Sequence, residues 1–318
     1  MSPGTSINHF SCAFRLSIRM IRLHGAGAGA QASMSRSSSG AAVLIFAFVL
    51  LTAGCESLTG FLFYPQTQYL QTPQRYGLEW QDVELVAKDG TRLRNWYLPA
   101  RGEQRGRILF LHGNGENIST HLNAVAWLPD EGYAVFLLDY RGYGQSDGAP
   151  LLPSVFQDIQ AAHHWLQQES SATPLILLGQ SIGGALGLTY AARWRGELPQ
   201  FDTIVIESAP ASLPQVAREA MAANWLTWLL QAPTFLLPSA YDPEKTVGDL
   251  DSGRVLLMHG SKDRIVDVGH LQQLEQVLPN AEVYQYEEGH IRGFADADVR
   301  EAVLRFIQTK GPAPIAGP

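Results

Sequence analysis

Three side chains in this chain have the types and the order needed for covalent catalysis. Ser181 lies in Gly179-Gln-Ser-Ile-Gly183, after the apolar run Leu175-Ile-Leu-Leu178 and before the helical pattern Ala185-Leu-Gly-Leu188. A strand that turns through Gly-x-Ser-x-Gly into a helix holds its serine at strained backbone angles, and the flanking glycines remove side chains that would collide. The competing reading is an ordinary glycine-rich turn, and a base with an orienting acid decides between them. Downstream of Ser181 stand three histidines, His259, His270 and His290. His259 ends a strand and reads as a turn residue. His270 falls in the first turns of a helix and reads as solvated surface. His290, in Glu287-Glu-Gly-His290 after the last strand, is the candidate base. Asp263, in His259-Gly-Ser-Lys-Asp263, is the preferred orienting acid, with Glu207 as its rival and Asp267 as a helix cap. An oxyanion would need donors. The backbone N–H of Ile182, at the amino end of the helix after Ser181, is one candidate. Asn114, in His112-Gly-Asn-Gly115, is the other, with Asn117 bracing that loop and His112 structural.

The elements that must position these groups are legible as an alternation. Asp82-Val-Glu-Leu-Val86 and Thr91-Arg-Leu-Arg-Asn-Trp-Tyr97 flank Asp89-Gly90 as a β-hairpin. Apolar strands follow at Arg107-Ile-Leu-Phe-Leu111, Tyr133-Ala-Val-Phe-Leu-Leu138, the run before Ser181, Thr203-Ile-Val-Ile206, Arg254-Val-Leu-Leu-Met258 and Glu282-Val-Tyr-Gln-Tyr286. Helical patterns at about 120–131, 154–169, 268–278 and 295–307 separate them. Strand–helix alternation of this kind predicts a mostly parallel twisted sheet with helices on both faces, binding its ligand beyond the carboxyl ends of the strands. Every candidate residue above lies at such an end. Between 208 and 251 the alternation stops, and Ala220-Met-Ala-Ala-Asn-Trp-Leu-Thr-Trp-Leu-Leu230 predicts a small helical cap. Trp225 and Trp228 would form an apolar wall over the nucleophile, or equally a plain core stripe; Phe235, Leu236 and Leu237 would extend it.

Composition excludes several classes. The chain has 318 residues and a formal net charge of −7. Its first 54 residues carry Arg15, Arg19, Arg22 and Arg36 and no acid, so the remainder holds 19 basic against 30 acidic residues, a balance of −11. A body so acidic argues against binding nucleic acid and against polybasic adhesion to anionic lipid. The two cysteines, Cys12 and Cys55, are both near the amino end and allow neither a disulfide framework nor a cysteine-based metal site in the body. His163 and His164 are adjacent and diverge on a helix. With no HExxH, no phosphate-binding loop with its lysine and no dinucleotide fingerprint after a strand, neither a cofactor nor a metal is expected.

The amino end reads as a leader. Residues 1–40 are of low complexity, and Ala41-Ala-Val-Leu-Ile-Phe-Ala-Phe-Val-Leu-Leu51 is an apolar core shorter than the ~20 residues needed to span a bilayer. Leu51-Thr-Ala-Gly-Cys55 resembles a bacterial lipobox, which implies lipidation of Cys55; Thr52 stands where leucine is usual, and an uncleaved signal anchor is the alternative.

His112-Gly-Asn-Gly-Glu-Asn117, Leu138-Asp-Tyr-Arg-Gly-Tyr-Gly-Gln-Ser146, Gly179-Gln-Ser-Ile-Gly183, His259-Gly-Ser-Lys-Asp263 and Gly289-His290 together resemble the α/β-hydrolase superfamily. More narrowly they resemble a serine-hydrolase branch that includes membrane-bound protein depalmitoylases. The resemblance implies a Ser181–Asp263–His290 triad, with Asp139 and Arg141 holding a loop. The departure is His290-Ile-Arg-Gly293, where an Asn or Asp often follows the histidine. The expected organisation is a leader (1–54), a membrane tether (55–76), an α/β-hydrolase domain (77–310, cap 208–251) and a disordered tail (311–318). The expected function is hydrolysis of a carboxylic ester or thioester in a small-molecule or acylated substrate, at the bacterial cell envelope and anchored to the membrane by lipid. The alternatives are a secreted or signal-anchored protein, a peptidase or amidase, and a non-catalytic envelope-binding protein.

Overall fold

The computed structural model describes residues 58–169, 173–194, 198–222, 231 and 234–310. The apolar runs form one eight-stranded sheet. In chain order the strands are β1 (Gln81–Val86), β2 (Arg92–Leu98), β3 (Gly106–Leu111), β4 (Tyr133–Leu138), β5 (Leu175–Gln180), β6 (Thr203–Glu207), β7 (Val255–Gly260) and β8 (Glu282–Tyr286). Their spatial order is β8-β7-β6-β5-β3-β4-β2-β1. Pairing is parallel from β8 to β4 and antiparallel at the β4–β2 and β2–β1 edges. Strands buried on both faces need no polar alternation, which is why β3, β4 and β5 read as unbroken apolar runs. Alternate side chains feed two cores. Leu109, Leu111, Phe136, Leu138 and Leu177 join one; Ile108, Phe110, Val135, Leu137, Ile176 and Leu178 join the other.

Among the described residues the helices of two turns or more on the faces are α1 (Ile118–Val125), α2 (Val155–Glu169), α3 (Ile182–Arg193), α4 (Leu213–Ala222), α5 (Gly269–Val277) and α6 (Ala297–Lys310). The helix expected over 120–131 is shorter and starts earlier. Asn117 caps α1 by accepting the Ser119 N–H, and a 3-10 turn with Pro129 in its first turn replaces the second half. Among the described residues no helix is long and apolar enough to cross a membrane.

Topology sets the site. The chain leaves β3 for β4 on one side and returns to β5 on the other, so the strand order reverses around β3. A crevice opens at such a reversal, beyond the carboxyl ends of the strands. The loops after β3 and β5 meet there.

Candidate active site

Ser181 sits between β5 and α3 at φ 54, ψ −126, a left-handed conformation rare for a non-glycine residue. Holding it costs about 1–3 kcal/mol and requires support from its surroundings. The Ser181 N–H donates to Glu207 O at 2.8 Å, tying the turn to β6, and Ser181 O accepts from Gly184 N at 2.9 Å, starting the helix. A methyl group on Gly179 would lie 2.7 Å from Gly184 Cα, and one on Gly183 would overlap the carbonyls of Leu111 and His112. Both glycines are therefore required by the closeness of the turn to its own helix and to β3.

The histidine and the acid arrive from the next two strands beyond β6. His290 Nε2 is 2.9 Å from Ser181 Oγ, and His290 Nδ1 is 2.7 Å from Asp263 Oδ2. The serine hydroxyl donates to Nε2 and Nδ1–H donates to the carboxylate, which requires the Nδ1–H tautomer. The loops after β7 and β8 are stitched together by Ser261 N to Tyr286 O (2.8 Å) and Lys262 N to Glu288 O (3.1 Å), so Asp263 and His290 keep their register. Burial pushes the Asp263 carboxyl up, but the hydrogen bond and charge of His290, with the N–H groups of Ile265 and Val266, outweigh it and leave the carboxyl below its ordinary value. His259 Nε2 approaches Asp263 Oδ2 at 3.6 Å but donates to Val266 O at 3.0 Å; burial lowers its pKa, so it stands by as a neutral brace.

Glu207, the rival acid, is fully buried and committed elsewhere. It accepts from Gln180 Nε2 (2.6 Å), Tyr286 OH (2.6 Å) and Gly293 N (2.8 Å). It locks the elbow strand to the His290 loop rather than touching the imidazole.

The loop after β3 borders Ser181: a methyl group on Gly113 would lie 3.6 Å from Ser181 Cβ. Ile182 is the first residue of α3, where the N–H has no acceptor within the helix. The Asn114 side chain turns away to Leu62 O (3.4 Å), and its carbonyl accepts from Tyr64 N (2.9 Å) and Tyr143 OH (2.6 Å). What Asn114 has to offer a substrate is its backbone N–H. Asn117 braces the loop through Gln66 O and Gln68 O. Asp139 accepts from Ile118 N and Tyr69 OH, and Arg141 is buried against Asp158, so both hold loops in place.

A cleft of about 600 Å³ opens over His290 and Gln180, lined also by Glu116, Thr120, His121 and Arg292. His121 escaped the sequence reading. Burial and the neighbouring His112 push it down to about 3, so it is a neutral wall of the cleft, held at Gly115 O. Tyr143 was visible only as a motif letter. The expectation for His270 is corrected: it is fully buried, bridging Ala211 N and the α4 carboxylate of Glu219, because that helix packs over α5.

Trp225, Trp228 and Cys55 lie outside the described residues. Within the expected cap, Phe235 and Leu236 are exposed and Leu237 is buried. Leu237 lines an apolar hollow of about 170 Å³ with Leu58, Phe61, Leu62, Ala217 and Met221.

The family described as "Serine aminopeptidase, S33" matches this chain over residues 102–252. The uncharacterized protein YfhR of Escherichia coli is 31% identical over 258 residues, spanning 78% of this chain and 86% of that one. The chain belongs to the α/β-hydrolase superfamily. An uncharacterized membrane protein of Saccharomyces cerevisiae is 26% identical over 227 residues, spanning 70% of this α/β-hydrolase and 76% of its own length. An esterase of Pyrococcus furiosus shares the fold, with a TM-score of 0.64 at 19% identity over 79% of this chain and 99% of that one. This α/β-hydrolase thus keeps the mostly parallel central sheet of the superfamily, with helices on both sides.

Proposed function

We propose that the protein is a serine hydrolase that cleaves carboxylic esters or thioesters through an acyl-Ser181 intermediate. The observation that carries this reading is the unbroken relay Ser181 Oγ–His290–Asp263 at 2.9 and 2.7 Å, at a strained turn. His290 Nε2 takes the hydroxyl proton as Oγ attacks the acyl carbon, and the oxyanion is received by the N–H groups of Ile182 and Asn114. The imidazolium, steadied by Asp263, then protonates the departing alkoxide or thiolate. Water enters, gives its proton to His290 and attacks the acyl carbon, and Oγ leaves with that proton returned. Preorganised donors of this kind are worth about 10²–10³ in rate each. The apolar hollow, whose Leu62 carbonyl is bonded to Asn114, supports an aliphatic acyl group, since a dry cavity of about 150 Å³ takes a ligand the size of benzene.

Replacing Ser181 with Ala is expected to abolish hydrolysis of p-nitrophenyl butyrate and labelling by a fluorophosphonate while leaving the circular dichroism spectrum unchanged. Undiminished turnover would sink the reading. A wild-type protein that no fluorophosphonate labels would favour a non-catalytic envelope-binding role.

A second reading, amide or peptide hydrolysis, is favoured by the aminopeptidase description of the matched family and by Glu116, a carboxylate on the cleft wall suited to a substrate ammonium. A screen over p-nitrophenyl esters, acyl-thioesters and aminoacyl amides separates the two. The lipobox-like Leu51-Thr-Ala-Gly-Cys55 supports a lipid anchor on Cys55, a setting in the bacterial envelope and kinship with the membrane-bound depalmitoylase branch.

A further inference from the structure

The Asn114 N–H can serve an oxyanion only if its peptide plane is held at one orientation, because hydrogen bonds weaken steeply with misalignment. His112 Nδ1–H donates to Gly113 O at 2.7 Å, and its ring is fixed between Tyr140 and Tyr143, with centroids 4.6 and 4.9 Å away. In a trans peptide the C=O and N–H point in opposite directions. Tying the Gly113 carbonyl to His112 therefore turns the Asn114 N–H the other way. The next carbonyl, Asn114 O, is held by Tyr143 OH and by the N–H of Tyr64.

That last donor comes from chain preceding the whole sheet. Tyr64 and Pro65 pair in parallel with Gly115 and Glu116. Gln66 N donates to Glu116 O at 3.1 Å, Asn117 Nδ2 to Gln66 O and Gln68 O at 2.9 and 2.8 Å, and Leu70 N to Ser119 Oγ at 3.0 Å. Leu62 and Phe63 enter the core at the start of this segment, whereas Tyr64 and Leu70 remain 58% and 62% exposed. Past Phe63 these hydrogen bonds, rather than burial of those two side chains, hold it against the loop. The loop, in turn, needs help: Glu116 is held at φ 65, a conformation that persists only when neighbours over-determine it.

We propose that residues 62–70 are a strap that positions the Asn114 oxyanion donor, making the chain upstream of the sheet part of the active site. The proposal rests on the acyl-Ser181 reading. Asn117 and Tyr143 act in it as positioning residues; neither needs to touch the substrate.

The test uses the full chain with two conservative changes. Asn117→Asp keeps the oxygen that caps α1 but loses the amide donors to the strap, and Tyr143→Phe removes one hydroxyl. With p-nitrophenyl butyrate, each is expected to lower kcat about tenfold, less than loss of a whole oxyanion donor, with KM within about twofold. Affinity for butylboronic acid, which forms a tetrahedral adduct on the serine, should fall by the same factor as kcat/KM, while the melting temperature of Tyr143→Phe stays near wild type. If Asn117→Asp fails to fold, Ser119→Ala, which removes the acceptor of the strap's Leu70 N–H, takes its place with the same expected losses. Unchanged kcat, or a fall in kcat without a fall in boronate affinity, overturns the strap. Wild-type protein that fluorophosphonate does not label at Ser181 overturns the acyl-serine reading instead.

Discussion

Asp263 and Glu207 are both buried carboxylates close to the elbow, and their partners give them different work. Asp263 presents one oxygen to His290 and the other to two backbone N–H groups, which leaves it charged and aimed. Glu207 is pushed upward by burial, opposed by its bonds from Tyr286, Gln180 and Gly293. Asp263→Asn, by favouring the wrong imidazole tautomer, should cost about 10³–10⁴ in kcat with little loss of stability. Glu207→Gln sets an amide nitrogen against donors and should cost about 1–3 kcal/mol in urea unfolding, with far smaller loss of kcat in the folded fraction. Equal kcat losses in the two variants would contradict this division. The sequence showed Ser181, His290 and both acids at strand ends and favoured Asp263, which does meet the imidazole; the loop-to-loop bonds that bring it there are carried by no local pattern. His270 misled for the same reason, since its partners Ala211 and Glu219 are distant in the chain.

At the scale of elements, one guanidinium joins the hairpin to the helix layer. Arg141, in the loop after β4, donates through Nη2 to Asp158 of α2 at 2.7 Å and through Nη1 to Asp89 of the β1–β2 turn at 2.6 Å. The Arg141 hydrogen bond holds Asp89 at about 2, below the ordinary 3.8. A carboxyl depressed in the folded state stabilises it above the unfolded value and loses that contribution as pH falls through the folded one. Asp89→Asn should therefore be less stable than wild type at neutral pH, and the gap should close between about pH 4 and 2. Urea midpoints of both proteins across that range measure it; a gap independent of pH would mean the charge is not what holds the turn. The hairpin was legible from alternation about Asp89-Gly90, and the parallel strands from their apolar runs. The end of α1 was not legible: the expected helix runs to 131 through Pro129, whereas α1 stops at Val125 and a 3-10 turn carries Pro129. Nor was the strap: two residues pairing with a loop leave no periodicity to read.

On the scale of the whole molecule, the strap is the stretch of chain that leads from the proposed lipid-anchored amino end to the hydrolase sheet. Cys55 is three residues before Leu58, so an acyl chain on its sulfur would keep Leu58 within about 11 Å of the bilayer surface. Phe61, beside the apolar hollow, is 68% exposed, and Phe235 and Leu236, next to its lining residue Leu237, are 71% and 59% exposed. An anchor on Cys55 would thus hold an apolar part of the surface to the bilayer, while the body's charge balance of −11 repels anionic lipid. Attachment through acyl chains predicts that detergent but not high salt extracts the protein from membranes. Cys55→Ser should move it to the soluble fraction, with kcat on the water-soluble p-nitrophenyl butyrate unchanged because the strap and the Ser181–His290–Asp263 relay are left intact. Activity on long-chain esters embedded in vesicles should fall, since the substrate and the crevice no longer share a surface. Release of the wild type by salt alone would place the attachment in charge rather than lipid, and equal losses on both substrates would place Cys55 in the fold rather than in the anchor.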